Sequence, residues 1–339
     1  MARIALDAMG GDHAPQATVA GALLAAAELG PSHSIYLVGR ATTIEDTLAT
    51  LVRGEHAALA PYRSRLHVVD APDVIEMTDK PSAAIRGKPN SSMVVGLRMH
   101  AEGKADAFVS AGNTGAQMAA SMVLLKLHTG LKRPAIATIF PTARKSVVVL
   151  DSGANVDCSA TELVQFARLG TVYAQDLLGR ANPAVGLLSI GEEPEKGNAV
   201  SKEAHGLLEK SGLNFVGNVE GRDLPAGRSH GGDLDVVVCD GFVGNVILKF
   251  YEAVAPLMVG MLVKAGLPQD RIMAALKQLD YSEHGGAPLL GVRGVSIICH
   301  GRSSPRALMN AIKVAVQAVD SRLDEHIGKR LDAVEGHTA

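Results

Sequence analysis

The chain repeats one pattern along its length: a short apolar run, a turn rich in glycine, asparagine or aspartate, and a stretch with helical spacing. The apolar runs are continuous rather than alternating, which is typical of strands covered on both faces. Their alternation with helices predicts βαβ units, and therefore an α/β fold with a largely parallel sheet. The clearest examples are RIALDAMGGDHAP, AFVSAGNTG, VVVLDSGAN, VGLLSIGEE, DVVVCDGFVGN and VSIICHGRSS.

The length of the chain and its unbroken pattern predict a single domain. A chain of 339 residues suits either one large α/β domain or two smaller ones. Because no low-complexity linker interrupts the pattern, we predict one compact α/β domain over residues 1–330, with a two-lobed arrangement as the alternative. Residues 331–339 are predicted to form a frayed tail, and residues 252–282 a helical protrusion.

Composition and charge exclude several classes of protein. The formal net charge is −2, and no basic block forms a footprint for nucleic acid. The cysteines stand far apart without CxxC spacing, so neither a zinc site nor a disulfide framework is predicted. No apolar run approaches the ~20 residues of a transmembrane helix. The segment MARIALDAMGG breaks too early for a signal peptide, which predicts a cytoplasmic protein.

The turn SAGNTGA is the first candidate for a binding site. Ligands of open parallel sheets bind outside the carboxyl ends of the strands, so the glycine turns should lie along one edge and form a cleft. The turn contains neither GxxxxGK[ST] nor GxGxxG, which argues against the common nucleotide loops. Backbone N–H groups, the Thr114 hydroxyl and a helix dipole nevertheless suit an anion. The alternative is a structural turn with Asn113 in the left-handed region.

Three other turns carry carboxylates and amides at predicted strand ends. Asp7 is predicted to hydrogen-bond its own glycine turn, with a metal site as the less favoured alternative. Asp151 and Asn155 lack the remaining ligands of a calcium loop, so amide donors directed at an oxyanion fit better. Asp240 precedes Asn245, whose side chain can either cap a helix or donate into the cleft.

Two further residues are candidates for contact with an anion. Lys196 lies in the glycine-flanked segment SIGEEPEKGN, where a flexible ammonium can meet a phosphate or a developing oxyanion. His300 begins the segment HGRSS and either donates to a phosphate or has a structural role. No GxSxG elbow is present, which disfavours a serine hydrolase.

Segment 254–279 combines an apolar block with a basic rim. The default interpretation is a pair of helices in the core or in a dimer interface. The alternative is a surface for lipid, for an acyl chain or for the bilayer interface.

Taken together, these motifs resemble one family, the bacterial phosphate acyltransferases of phospholipid synthesis. The resemblance rests on DAMGGDHAP, SAGNTGA, LKRPAIAT, LDSGANVD, SIGEEPEKGN, GNVEGRD, CDGFVGNV and HGRSS, and it covers nearly the whole chain in one order. It implies a three-layer α/β/α Rossmann-like fold related to phosphotransacetylases. It also implies transfer of a long-chain fatty acyl group from acyl carrier protein to inorganic phosphate, which yields an acyl phosphate.

The same resemblance implies partners and a location. It implies a homodimer with sites near its interface, and a cytoplasmic or peripheral membrane location. A downstream glycerol-phosphate acyltransferase is a further expected partner. Acyl carrier protein is acidic, so basic residues near the cleft should dock it. The candidates are Arg86, Lys88, Lys132, Arg133 and Lys264.

The reaction that the resemblance implies needs no protein nucleophile, metal or organic cofactor. The phosphate oxygen is already anionic at neutral pH, so catalysis requires placement of the reactants and donors for the oxyanion. We expect four residues to bind phosphate: Gly112, Asn113, Thr114 and Gly115. We expect catalysis to rest on Lys196 and Asn245, with Asn155 and His300 as further candidates and Asp7, Asp151 and Asp240 as supporting residues.

Two other enzyme classes and one binding role remain as alternatives. A phosphotransacetylase-type enzyme would pass short acyl groups between coenzyme A and phosphate. A metal-dependent NAD dehydrogenase of the isocitrate type would need clustered carboxylates and an adenine-binding loop, and the sequence displays neither. A lipid-binding scaffold would consume no thioester.

Overall fold

The computed structural model describes residues 1–268, 270–272 and 285–335, and within them the chain divides into two compact units. The first unit consists of residues 1–128 and 285–328. The second consists of the described residues from 129 to 272 together with residues 329–335. That these units form a single domain stays a prediction. The predicted protrusion at 252–282 and the predicted tail at 331–339 lie partly outside the described residues.

Short strands alternate with helices, as the sequence predicts. The strands are β1 (Arg3–Asp7), β2 (Ser34–Gly39), β3 (Leu66–Asp70), β4 (Ala107–Ser110), β5 (Ala135–Ile136), β6 (Thr138–Phe140), β7 (Val147–Leu150), β8 (Val185–Leu188), β9 (Phe215–Val219), β10 (Arg228–Ser229), β11 (Gly232–Asp233), β12 (Val236–Val238), β13 (Ala287–Leu290) and β14 (Val295–Ile298). The helices are α1 (Gln16–Glu28), α2 (Ala41–Arg53), α3 (Pro81–Gly87), α4 (Ser92–Ala101), α5 (Thr114–Leu124), α6 (Ala160–Leu178), α7 (Ala199–Glu209), α8 (Asp223–Ala226), α9 (Gly241–Lys264), α10 (Pro305–Asp320) and α11 (Leu323–Glu335), and a 3₁₀ helix spans Ala57–Arg65.

Each unit contains a mostly parallel sheet. In the first unit the strand order is β3-β2-β1-β4-β14-β13, and β13 runs antiparallel to β14 while the other neighbours are parallel. In the second unit the order is β6-β7-β12-β8-β9, and β6 runs antiparallel to β7 while the other neighbours are parallel. The predicted α/β fold with largely parallel strands is therefore confirmed.

The glycine turns lie at the ends of two sheets rather than along the single edge that the sequence predicts. The turns that contain Gly112 and His300 follow strands of the first unit, whereas those that contain Asp151, Lys196 and Asp240 follow strands of the second. Apolar runs mark where strands occur, but they do not specify which strands pair. The division into two sheets was therefore beyond what the pattern could predict.

Polar residues in the turns determine where the helices begin. At six of the described helix starts, a side-chain oxygen accepts an N–H group from the first turn, which pairs a donor that the helix itself cannot satisfy. The capping residues are Ser91 of α4, Asn113 of α5, Ser159 of α6, Asn198 of α7, Asp240 of α9 and Ser304 of α10. Part of the asparagine and aspartate content of the turns therefore serves the fold.

Buried apolar residues cover the sheets of both units. In the first unit Phe108 of β4 lies against Gly96 of α4, where a Cβ atom would be 2.5 Å from the ring. In the second unit a hydrophobic cluster joins strands β6, β7, β9 and β12 to α8. Its buried members are Phe140, Val147, Val149, Val219, Leu224, Leu234, Val237 and Cys239.

Helix α9 is long, apolar and exposed. It has 24 residues, and its most apolar window has a mean hydropathy of 1.8 with none of that window buried. Contrary to the expectation from the sequence, its length and composition therefore suffice for a membrane span. The sequence-based search looked for unbroken apolar runs. It missed this helix because charged residues at 249, 252 and 264 interrupt the apolar sequence.

A half-buried histidine joins α4 to the sheet of the first unit. His100 Nδ1 lies 3.1 Å from the Ala105 carbonyl oxygen, and Nε2 accepts the Val295 N–H at 3.0 Å. This arrangement requires a neutral ring with its proton on Nδ1. Burial lowers the pKa of His100, an effect that the bond to Ala105 and the nearby carboxylates of Asp324 and Asp106 oppose.

We predict that His100 makes the fold less stable when the pH falls below 6.5, its ordinary pKa. Below that value the unfolded chain binds a proton that the folded protein excludes, so the free energy of unfolding decreases. The variant His100→Gln should remove this component, because its amide can donate to Ala105 and accept from Val295. Denaturant titrations at about pH 7.5 and 5.5 test this. Wild type should lose more stability than the variant, and equal losses would contradict the role.

Candidate functional site

Asp7 organises the turn at the carboxyl end of β1. Its buried carboxylate accepts the Ser110 hydroxyl at 2.7 Å and the Met9 N–H at 3.1 Å. The Ser110 oxygen in turn accepts the Gly112 N–H at 3.0 Å. Burial raises the pKa of Asp7, while hydrogen bonds oppose the rise, and the bond from the Ser92 side chain has the largest opposing effect. Asp7 therefore binds its own glycine turn, as predicted, and through Ser110 it also supports the turn of β4.

The glycine turns of the first unit touch one another. A Cβ atom at Gly10 would lie 2.8 Å from the Gly112 nitrogen, so this approach requires glycine. Gly11 has a φ of +108°, and its Cα faces the Gly301 carbonyl oxygen, which accepts the Asp12 N–H at 2.7 Å. The turns after β1, β4 and β14 therefore form one cluster.

His300 lies exposed in this cluster. Its Nδ1 accepts the Arg302 N–H at 3.2 Å, so one ring nitrogen stabilises the turn that it belongs to. This contact supports the structural alternative for Nδ1. Donation from Nε2 to a phosphate stays a prediction.

Asn113 caps α5 and anchors a neighbouring loop. Its φ is −62°, so the alternative of a left-handed turn is wrong. The side-chain oxygen accepts the Ala116 N–H at 3.0 Å, and Nδ2 donates toward the carbonyl oxygens of Glu76, Met77 and Asp79 at 3.0–3.3 Å. The amide is therefore occupied within the protein and has no hydrogen left for an anion.

The donors that remain at this helix start belong to the next two residues. The first intrahelical bond runs from the Gln117 N–H to the Asn113 carbonyl, so the helix does not pair the N–H groups of Thr114 and Gly115. Thr114 is exposed and adds a hydroxyl. The start of α5 thus offers an anion two backbone donors, one hydroxyl and the positive end of the helix dipole.

In the second unit, Asp151 gathers the loop that follows β7. Oδ1 accepts the N–H groups of Ile136, Gly153 and Ala154 at 3.0–3.2 Å. Oδ2 accepts the backbone and side-chain N–H groups of Asn155 at 2.6 and 2.9 Å. Burial raises the pKa of Asp151, and these hydrogen bonds oppose the rise.

Asn155 completes this loop rather than projecting from it. Its Nδ2 donates to Asp151 and, at 2.7 Å, to the Pro134 carbonyl, and the residue is 6% exposed. Both amide hydrogens are therefore engaged. This geometry fits support of the loop better than direct donation to an oxyanion.

Asn245 lies one turn into α9, and its side-chain amide forms no hydrogen bond with another described residue. Asp240 caps this helix by accepting the Val243 N–H at 2.7 Å, so the alternative that Asn245 is the cap is wrong. A Cβ at Gly244 would lie 1.9 Å from the Asp151 carbonyl oxygen, and this contact brings the exposed Asn245 over Gly153. Its amide makes no hydrogen bond within the described residues and can donate to a ligand.

Lys196 lies exposed on the loop after β8. Its N–H donates to the Glu193 carbonyl at 3.0 Å, and its aliphatic stem packs over Gly191, where a Cβ would lie 2.8 Å from Cγ. Among the described residues the ammonium has no carboxylate partner. By contrast, Glu192 on the same loop faces Arg222 and His230 at 3.3 and 3.4 Å.

Topology brings the second unit's candidates to one end of its sheet. Strands β7, β12 and β8 are neighbours and parallel, so the turns with Asp151, Asp240 and Lys196 follow adjacent strands. Asp151, Asn155 and Asn245 are linked through the contacts above. The arrangement offers an exposed ammonium on the loop after β8 and an exposed amide beside the loop that Asp151 holds.

The cysteines supply no obvious nucleophile. Burial raises the pKa of Cys158 and of Cys299 to about 12, and it raises the pKa of Cys239 as well. A thiol with so high a pKa stays protonated near neutrality, whereas the thiolate is the reactive form.

Two supporting residues escaped the sequence-based reasoning. Ser110 links Asp7 to the β4 turn, and Asn218 of β9 donates to the Glu193 carbonyl at 2.8 Å. Both are polar residues within apolar strand segments, AFVS and FVGNV. A polar side chain in such a segment is the feature of the sequence that could have identified them as supporting residues.

The chain is similar to known proteins over almost its entire length. The pattern of a family described as fatty acid synthesis protein matches residues 2–325. A phosphate acyltransferase from Heliobacterium modesticaldum is 48% identical over 348 aligned residues, covering 98% of this chain and 99% of that protein. One from Desulforamulus reducens is 48% identical over 346 residues, covering 99% of each.

A solved structure resembles the fold at much lower identity. A phosphotransacetylase from Streptococcus pyogenes superimposes with a TM-score of 0.62 at 16% identity, over 95% of this chain and 94% of that one. This likeness concerns the fold alone, and it confirms the prediction that the chain has a fold like that of phosphotransacetylases.

The contacts of Asn113 predict a local effect of its removal. Asn113→Ala should lower the free energy of unfolding by about 1–2 kcal/mol through loss of the cap. It should also speed amide hydrogen exchange in residues 76–79, because their anchor is lost. Asn198→Ala removes the cap of α7 without touching that loop and serves as the control. Unchanged exchange at 76–79 in Asn113→Ala would refute the anchoring role.

Proposed function

The chain belongs to the family of fatty acid synthesis proteins, and on that premise we propose that it is a phosphate acyltransferase that moves a long-chain fatty acyl group from a thioester to inorganic phosphate. The observation that carries the proposal is 48% identity, over nearly the full length of both chains, to proteins named phosphate acyltransferase. The chemistry of the candidate residues agrees with this proposal.

The proposed reaction exchanges one bond for another at the acyl carbon. A phosphate oxygen attacks the thioester carbonyl, a C–O bond forms, and the C–S bond breaks to release a thiolate that takes up a proton. Phosphate is anionic at neutral pH, and a thiol pKa of about 8.5 makes the thiolate an acceptable leaving group. No side chain has to serve as nucleophile, and no metal or organic cofactor takes part in the proposed mechanism.

In the second unit, we assign the carbonyl of the acyl group to Lys196 and Asn245. Negative charge develops on that oxygen as phosphate adds, and unpaired donors stabilise it most when they are already in place. The ammonium of Lys196 and the amide of Asn245 are both exposed, and neither has a hydrogen-bond or ion-pair partner in the described part of the chain. Asp151, Asn155 and Asp240 support them by holding the loop and the helix start.

In the first unit, we assign inorganic phosphate to the segment Gly112–Gly115. Thr114 and Gly115 supply the donors, whereas Asn113 and Gly112 shape the turn through their own hydrogen bonds. Asp7 supports the turn through Ser110. His300 remains a further candidate donor through Nε2.

We propose acyl carrier protein as the carrier of the acyl group. Of the basic candidates for docking, Arg133 faces Glu162 at 3.3 Å, Lys132 also lies close enough to that carboxylate to help lower its pKa, and Lys88 pairs with Asp79. Arg86 and Lys264 remain without a carboxylate partner among the described residues.

We also propose a cytoplasmic homodimer with peripheral membrane contact, and with the downstream glycerol-phosphate acyltransferase as a further partner. Exposed apolar side chains on α9 support such contacts. They include Leu257, Met258, Met261 and Val263.

The proposed reaction predicts that thioester consumption depends on phosphate. Incubation of the protein with palmitoyl, octanoyl and acetyl thioesters, each on acyl carrier protein and on coenzyme A, tests both the activity and the carrier. We expect rapid thiol release from long-chain acyl carrier protein only when phosphate is present. Preference for acetyl-coenzyme A would favour a phosphotransacetylase-type enzyme, and no consumption at all would favour a lipid-binding scaffold. NAD reduction with a divalent metal would favour a dehydrogenase.

The assignment of Lys196 predicts a selective loss of turnover. Lys196→Ala should lower kcat by about 10²–10³-fold, the usual effect of removing one oxyanion donor, while the melting temperature stays unchanged. Lys202→Ala removes an exposed lysine from the first turn of α7, six residues later in the chain, and is the matched control. Near-normal turnover of Lys196→Ala would contradict the role.

A further inference from the structure

A buried asparagine holds the loop that carries Lys196. Asn218 of β9 is 1% exposed, and its Nδ2 donates to the Glu193 carbonyl at 2.8 Å. The same carbonyl accepts the Lys196 N–H at 3.0 Å. The Glu193 carbonyl oxygen therefore connects the sheet to the lysine. The start of the same loop is held by the Ser189 N–H, which donates to the Val219 carbonyl at 2.8 Å.

An irregularity in the sheet places Asn218 at this position. Val185 of β8 pairs with Phe215, but Leu187 pairs with Asn218, so β9 contains one more residue than β8 over this stretch. The extra residue lies beside Gly217, whose φ is +93°. With regular pairing Gly217 would stand opposite Leu187. Bulges of this kind redirect a side chain next to functional sites, and a slip of one residue reverses the face of every side chain that follows.

Stability alone does not explain an asparagine at this position. The Asn218 side-chain oxygen is buried and has no hydrogen-bond partner among the described residues. An unpaired buried acceptor costs about as much as one hydrogen bond contributes, so the two amide atoms nearly cancel. An apolar side chain of similar volume would stabilise the strand at least as well.

The aliphatic part of the Lys196 side chain packs against the backbone of its own loop. Its stem crosses Gly191, where a Cβ would also lie 3.0 Å from the Glu193 carboxylate. Gly191 does not have a positive φ, so the glycine provides room rather than an unusual backbone conformation. The backbone from Gly191 to Lys196 therefore determines where the stem of the lysine begins and how it crosses the loop toward the exposed ammonium.

We propose that Asn218 is a positioning residue that fixes the loop at Glu193 and thereby places the Lys196 ammonium for catalysis. This inference rests on the proposed function. It assigns Asn218 no contact with substrate.

The first test compares activity with stability. Asn218→Leu removes the amide and fills its volume, and Asn218→Asp keeps the shape but replaces the donor by an acceptor. Both should lower kcat by about ten- to a hundredfold, the range expected for a misplaced catalytic group, and Asn218→Leu should melt at or above the wild-type temperature. Asn214→Ala removes a similar amide, which donates to Asn182 O at 3.2 Å at the other end of β9, and should leave kcat within about twofold of wild type.

The second test is a double-mutant cycle with Lys196→Ala. If Asn218 acts through the lysine, Asn218→Leu should change kcat less than about twofold once the lysine is absent. The same fold-loss in both backgrounds, or a drop in melting temperature that accounts for the lost activity, would overturn the inference. Failure of the proposed function is separate, because wild type itself would then show no phosphate-dependent thioester consumption.

Discussion

The buried carboxylate of Asp151 is the interaction on which the second unit's candidate residues depend. Removing a carboxylate from water costs several kcal/mol unless hydrogen bonds replace the lost hydration. The loop after β7 supplies four such bonds and Ile136 a fifth, so the loop must curl around the carboxylate. Helix α9 then packs against the back of the loop, where Gly244 leaves no space for a Cβ. The location of Asn245 follows from that contact.

The first unit uses the same physical device with different partners. Asp7 is also buried at the end of a strand, and a hydroxyl, Ser110, carries its influence to the neighbouring turn. Because the turns after β1 and β4 both bend toward this carboxylate, their backbones approach closely, and Gly10 lies against Gly112. The glycine content of these turns is therefore a consequence of burying a charge among backbone donors.

The sequence predicted the class of fold and the strand-end location of the candidates, because apolar runs, helix starts and glycine turns are local features. It also predicted the bond between Asp7 and its turn, which spans two residues. It did not predict which strands pair, and so it missed the division into two sheets. It could not tell which amides were occupied, because Asn113 and Asn155 bind carbonyl groups 21–37 residues away. Asn218 was missed for the same reason, since its partner lies 25 residues earlier in the chain.

The hydrogen bonds of the side-chain amides show which candidate residues can still donate to a substrate, and the sequence alone could not show this. A polar side chain whose hydrogens are all used can shape a site, but it cannot donate to a reacting atom. By this criterion Asn113 and Asn155 belong to the framework, while Lys196, Asn245 and the exposed Thr114 remain available. In the second unit Lys196 and Asn245 offer a cation and an amide, in the first unit Thr114 offers a hydroxyl, and none of the roles proposed for them needs a side chain that accepts a proton. Donors of this kind suit a reaction whose nucleophile arrives already ionised, because the protein then has to place the reactants and stabilise charge rather than generate it.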